Sequence, residues 1–243
     1  MGVENVSEEP EKEREAEHQQ EALNFPMPLY TVVIIVSLAA VFLVQLYVGL
    51  DRSFLTAGFD KPAFFYGEYW RILTGAMLHR SVVHILMNCY AFYSFGKLFE
   101  VLTNRAHLAL VFLFSAIGGG LLSAYFMPGG RSVGASGGII GLIGYLLIYA
   151  FRRRQFVSSE FRKSLLINIG FIMIFGLVLY GIVDNWGHIG GLITGAVYGL
   201  IQIPSNAYKN PQETNAFVEA LGLGALGICI AGSIFSIYLM LSF

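Results

Sequence analysis

Apolar residues come in long runs separated by short polar connections. Seven runs are long enough to consider as helices crossing a bilayer: residues 30–50, 81–100, 106–127, 135–151, 164–183, 186–203 and 217–241. A helix needs about 20 apolar residues to span ~30 Å of hydrocarbon. The pattern therefore predicts an all-α, polytopic membrane protein. Before the first run the chain reads differently. Glu4, Glu8, Glu9, Glu11, Glu13, Glu15, Glu17 and Glu21 crowd a segment with few apolar residues. Such a segment cannot bury enough surface to offset its ordering entropy. Residues 1–25 are expected to form a disordered cytoplasmic tail. A signal peptide would start short and basic instead.

Composition agrees. Of 243 residues, 56% are hydrophobic and 13% charged, and mean hydropathy is +0.64. Soluble domains run nearer ~45–50% apolar. The net charge of −1 gives no reason to expect a nucleic-acid partner. Cys89 and Cys229 both lie in apolar runs and read as buried thiols rather than a disulfide framework.

Lys and Arg in short loops set orientation. The loop after the fourth run, FRRRQFVSSEFRK, holds Arg152, Arg153, Arg154, Arg162 and Lys163. Lys97, Arg105 and Lys209 lie in the other loops on that side. That side is expected to be cytoplasmic, together with the tail. The second, fourth and sixth runs then start from the outer side. His84, Ser136 and His188 fall near those starts, which sets three polar groups at similar depth.

Polar groups inside a bilayer are costly and face the bundle interior. Serine alone is ordinary packing filler in membrane helices. His188 lies in GHIGGLITGAVYG, where Gly187, Gly191, Gly195 and Gly199 recur every four residues. Gly137, Gly141 and Gly144 form a second stripe beside Ser136. Two glycine-lined helices can pack backbone to backbone. That packing would bring an alcohol to an imidazole able to take its proton. His84 and Asn88, at i and i+4, project from one face and can donate hydrogen bonds to an oxyanion. A structural polar cluster is the plain alternative. His79 is expected to support a loop. GASGG also fits the G-x-S-x-G nucleophile elbow, but that motif needs a preceding strand. Here LLSAYFMPGGRSV precedes it, a helical run closed by a Pro-Gly-Gly turn. A transporter would place its polar groups at mid-membrane and carry repeats. Neither feature is present in the sequence.

Trp70–Arg71, HILMN at 84–88, GASGG at 134–138 and GHIGGLITG at 187–195 occur in an order that resembles the rhomboid intramembrane serine proteases. The resemblance runs from about Tyr69 to Gly199. It implies a six-helix core (26–203) with one additional C-terminal transmembrane helix (204–243). It also implies a Ser136–His188 dyad without a third acid, and an oxyanion hole of His84, Asn88 and the Ser136 N–H. Trp70 and Arg71 would belong to a structural loop, and Glu100 would be a structural acid. Substrates would be single-pass membrane proteins with helix-breaking residues, and no cofactor or metal is implied. A catalytically inactive, client-binding relative is the alternative. There are departures from the family pattern. Ile140 stands where an aromatic residue often stacks on the histidine, and Gly187 stands where alanine is common. Asp184, one turn before His188, is expected to be solvent-exposed rather than a triad member. Phe171, Phe175 and Tyr180 on the fifth run suggest a side gate. Residues 128–132 suggest a water entrance. A bacterial plasma membrane with a cytoplasmic N-terminus is the expected location.

Overall fold

The computed structural model describes residues 27–179, 181–206 and 208–242. The acidic tail, residues 1–25, and Tyr180 lie outside these. Every apolar run becomes a helix. They are α1 (Leu29–Val48), α5 (Val82–Leu102), α6 (Arg105–Phe126), α7 (Ser136–Arg152), α8 (Ser159–Val178), α9 (Asn185–Gln202) and α10 (Ala216–Ser242). Three short helices, α2 (Leu50–Ala57), α3 (Lys61–Phe65) and α4 (Arg71–Met77), fill the connection between α1 and α5. The fold is all-α and polytopic, with six core helices and α10 added at the C-terminus. Among the described residues α1, α6, α8 and α10 are long and apolar enough to cross a membrane, and α7 is a shorter apolar helix.

Local chemistry fixes the helix starts. Ser81 caps α5 by accepting the His84 N–H at 3.1 Å, and Asn104 caps α6 by accepting that of Ala106 at 2.7 Å. Glu100 accepts both the N–H and the hydroxyl of Thr31, at 2.8 and 2.7 Å, and so closes the first turn of α1. Gly49, at φ 97°, ends α1 in a conformation that a side chain would strain. One boundary departs from the sequence reading. The fifth run was placed at 164–183, yet α8 starts at Ser159, because Ser158 captures the Phe161 N–H at 3.1 Å. Hydropathy marks where lipid begins; the cap marks where the helix begins.

α9 packs between α6 and α7, and α10 lies against α6, α1 and the short helices α2 and α4. Glycines make the central seam. A Cβ at Gly191 would collide with the Gly137 carbonyl, one at Gly195 with the Gly141 carbonyl, and one at Gly144 with the Leu192 carbonyl. Gly190 also approaches α6, less closely, where a Cβ would lie 2.8 Å from the Gly118 oxygen. The sole sheet among the described residues is an antiparallel bridge. It joins β1 (Phe59–Asp60) to β2 (Arg131–Ser132), with Phe59 opposite Ser132 and Asp60 opposite Arg131. It lashes the α2–α4 lobe to the segment that leads into α7.

Candidate active site

Ser136 is the first residue of α7. Its position leaves its own N–H without an intrahelical acceptor. The residues before it are held from behind: Gly134 N–H donates to the Gly75 carbonyl at 2.9 Å. The two-residue β2 is no elbow strand, which agrees with rejecting the hydrolase motif. His188 sits in the first turn of α9. The glycine seam brings α7 and α9 together below both residues. Their side chains meet, with His188 Nε2 2.9 Å from Ser136 Oγ. His188 is buried, and its Nδ1 has no hydrogen-bond partner.

His84 and Asn88 flank the same spot. A Cβ at Gly134 would lie 2.9 Å from His84 Nε2 and 3.7 Å from Asn88 Nδ2, so both side chains border the approach to Ser136. The Arg80 N–H donates to His84 Nδ1 at 3.4 Å. In a neutral ring the proton then sits on Nε2, the nitrogen facing Gly134. Asn88 Nδ2 is buried with no partner, a donor kept available. A cavity of ≈ 40 Å³ adjoins Ser136 and His188 and is bordered by Gly119, Ser132, Val133 and Asp184. That is room for water.

The remaining sequence candidates lie outside this cluster. Arg71 ties the α2–α4 lobe: its Nε donates to Glu68 at 2.5 Å and its Nη1 to the Gly58 carbonyl at 2.9 Å. Trp70 packs edge-on against Phe235 of α10, with ring centroids 6.2 Å apart. His79 has its backbone N–H and carbonyl both bonded to Gln45, at 2.9 and 3.0 Å. Burial, with His84 beside it, pushes the His79 imidazole down to about 3, so it stays uncharged. Ile140 is buried.

Asp184 corrects the sequence reading. It is not an exposed residue but the N-cap of α9, accepting the Gly187 N–H at 2.9 Å. Ser123 of α6 donates to it at 2.6 Å, and the Lys61 ammonium lies 3.7 Å away. Burial pulls the Lys61 ammonium below the usual lysine range, and the Asp184 carboxylate opposes that. Sequence reasoning missed Lys61, Ser123 and the α6 glycines. The signal for the last was present: Gly118, Gly119 and Gly120 interrupt an apolar run, with Ser123 one turn further on. Lys61 carried no signal, because nothing local marks a loop lysine as buried.

Residues 66–205, more than half of the chain, match the family model described as Rhomboid domain. The chain belongs to the rhomboid family. It is similar to the mitochondrial RHOMBOID-like protein 6 of Arabidopsis thaliana, at 36% identity over 62% of this chain and 50% of that protein. It is equally similar to Rhomboid protease GluP of Bacillus subtilis, 36% identical over 53% of this chain and 25% of GluP. Inactive rhomboid protein 1 of Bos taurus is 29% identical over 56% of this chain and 16% of its own length. The chain thus matches half or less of the length of these rhomboid relatives. As a rhomboid it is a multi-pass membrane protein of a family that contains both proteases and inactive members.

Proposed function

We propose that this rhomboid is a serine endopeptidase that cuts peptide bonds in or beside the transmembrane segments of membrane proteins. The observation that carries the reading is the 2.9 Å approach of Ser136 Oγ to His188 Nε2. In the neutral tautomer protonated on Nδ1, Nε2 accepts the hydroxyl proton as Oγ attacks the scissile carbonyl. The carbonyl oxygen gains negative charge. His84 Nε2–H, Asn88 Nδ2–H and the Ser136 N–H are the donors for it, each worth about 2.7–4 kcal/mol in comparable sites. Imidazolium returns the proton to the leaving amine. The acyl-enzyme is then hydrolysed by a water, with His188 again as base. The adjoining cavity has room for that water. Trp70 and Arg71 act as structural residues of the α2–α4 lobe. No step calls for a cofactor.

A helical substrate hides its carbonyls in i→i−4 bonds, so only locally unwound segments would react. The bovine relative named inactive sets the rival reading, a binder of membrane clients. A Ser–His pair within hydrogen-bond reach favours catalysis over it. Relatives named for organelles leave a bacterial plasma membrane as one location among several. Labelling by a serine-reactive fluorophosphonate decides between the readings. Wild type is expected to label and Ser136→Ala and His188→Ala to resist; an inert wild type that also leaves a panel of single-pass proteins intact would establish the binder.

A further inference from the structure

The proposed chemistry leaves one cluster unused: Lys61 and Ser123, both buried, and the half-buried Asp184. Its geometry answers a problem set by the dyad. The far nitrogen of His188 has no partner, so no side chain orients the ring from behind. Its approach to Ser136 must be fixed through the backbone of the first turn of α9. Asp184 holds that turn twice. Its carboxylate accepts the Gly187 N–H at 2.9 Å, and its carbonyl accepts the His188 N–H at 3.0 Å.

Two other elements fix the carboxylate in turn. Ser123 donates from α6 at 2.6 Å, and Lys61 stands 3.7 Å away at the start of α3. Lys61 also reaches the nucleophile's side. Its N–H donates to the Gly130 carbonyl at 3.2 Å, in the loop that leads to Ser136, and its ammonium lies over the Phe59 ring at 5.9 Å. An N-cap alone needs none of this. Burying an ammonium is costly unless it is paired, and α9 would be capped without it.

We propose that Asp184, held by Lys61 and Ser123, is a positioning residue: a three-element latch that sets where His188 meets Ser136. The inference rests on the peptidase reading for its kinetic consequence, but the latch itself is a property of the α9 first turn. Asp184 is not a third catalytic acid, since it makes no bond to the imidazole.

The test uses the full chain in detergent micelles. Three quantities are read for each variant: fluorophosphonate labelling rate, melting temperature, and amide exchange of the first turn of α9. Asp184→Ala is expected to label about 10–100-fold more slowly, the scale of an ångström-sized misplacement. Asp184→Asn, which can still cap and still accept from Ser123, is expected to recover most of that rate. Lys61→Met is expected to lose several-fold and to speed exchange in the turn. Ser158→Ala, which removes a cap from α8, supplies the control for stability loss alone. Labelling of Asp184→Ala and Lys61→Met as fast as that of Ser158→Ala would overturn the latch. Should Asp184→Ala fail to fold, Asp184→Asn and Lys61→Met decide by the same criterion. A wild type that never labels refutes the peptidase reading instead. Exchange then decides the latch alone, and protection unchanged in Lys61→Met refutes it.

Discussion

α6 and α8 are both apolar helices of about the same length, yet the molecule treats them differently. Thirteen of the 22 residues of α6 are buried, against Leu165 and Gly176 alone in the 20 residues of α8. α6 and its neighbours α7 and α9 meet through glycines, backbone against backbone. α8 shows Ile167, Phe171, Ile174, Leu177 and Val178 outward, and a side chain fastens its end: Asn185 Nδ2 donates to the Gly176 carbonyl at 2.9 Å. Close backbone packing surrounds the Ser136–His188 pair, while a sparsely buried helix stands beside α7. The proposed peptidase would need both kinds of contact, one to hold two atoms within 3 Å and one to admit a bulky chain from lipid.

The same substitution in the two regions tests this difference most strongly. Gly195→Ala drives a Cβ into the Gly141 backbone, whereas Gly176→Ala meets the Asn185 side chain, which can turn away at the cost of its bond to the Gly176 carbonyl. Overpacking costs about 1–3 kcal/mol when neighbours can shift, and a backbone cannot shift far. Gly195→Ala is expected to lower the melting temperature sharply and to cut fluorophosphonate labelling about 100-fold or more. Gly176→Ala is expected to lose that one hydrogen bond, about 1 kcal/mol, and to affect labelling far less than Gly195→Ala. Equal effects would erase the distinction. Next in size are His84→Ala and Asn88→Ala. Each is expected to lose about 10²–10³ in kcat toward a membrane substrate, with the melting temperature little changed. A loss confined to KM would assign them to substrate binding instead.

A cross-link from α5 to α8 should slow cleavage of a transmembrane substrate several-fold while a small fluorophosphonate still labels Ser136. If both reactions continue unchanged, α8 is not a gate. The smallest effect belongs to the β1–β2 bridge. Asp60 caps α3 through the Ala63 N–H at 3.1 Å and accepts from Arg131 at 2.6 Å. Burial alone would raise its pKa; the Ala63 N–H and the Arg131 guanidinium outweigh that and hold the carboxyl below its usual range. Its contribution is therefore present at neutral pH and lost as pH falls through that lowered value. Asp60→Ala should cost about 1 kcal/mol at pH 7 and less near pH 3, read by thermal unfolding at both.

Much of this was legible in the sequence, for identifiable reasons. Hydrophobic runs report helices directly, because lipid tolerates little else. The two glycine stripes reported the α7–α9 seam, because only hydrogen side chains allow such an approach. His84, Ser136 and His188 were readable as one cluster because topology put all three at helix starts on one side. What stayed hidden was held by tertiary contact alone. Lys61 reads as a loop cation, and Asp184 as an exposed acid, until both Lys61 and Ser123 of another helix are seen to meet Asp184. The capped start of α8, five residues before the apolar run, was hidden because a cap is set by a single hydroxyl.

The contact between Trp70 and Phe235 bears on biogenesis. The α2–α4 lobe rests on α10, which is translated after it. Its packing against Phe235 cannot form until that later helix has been made and inserted, so the nascent chain enters the bilayer with this face of the lobe uncovered.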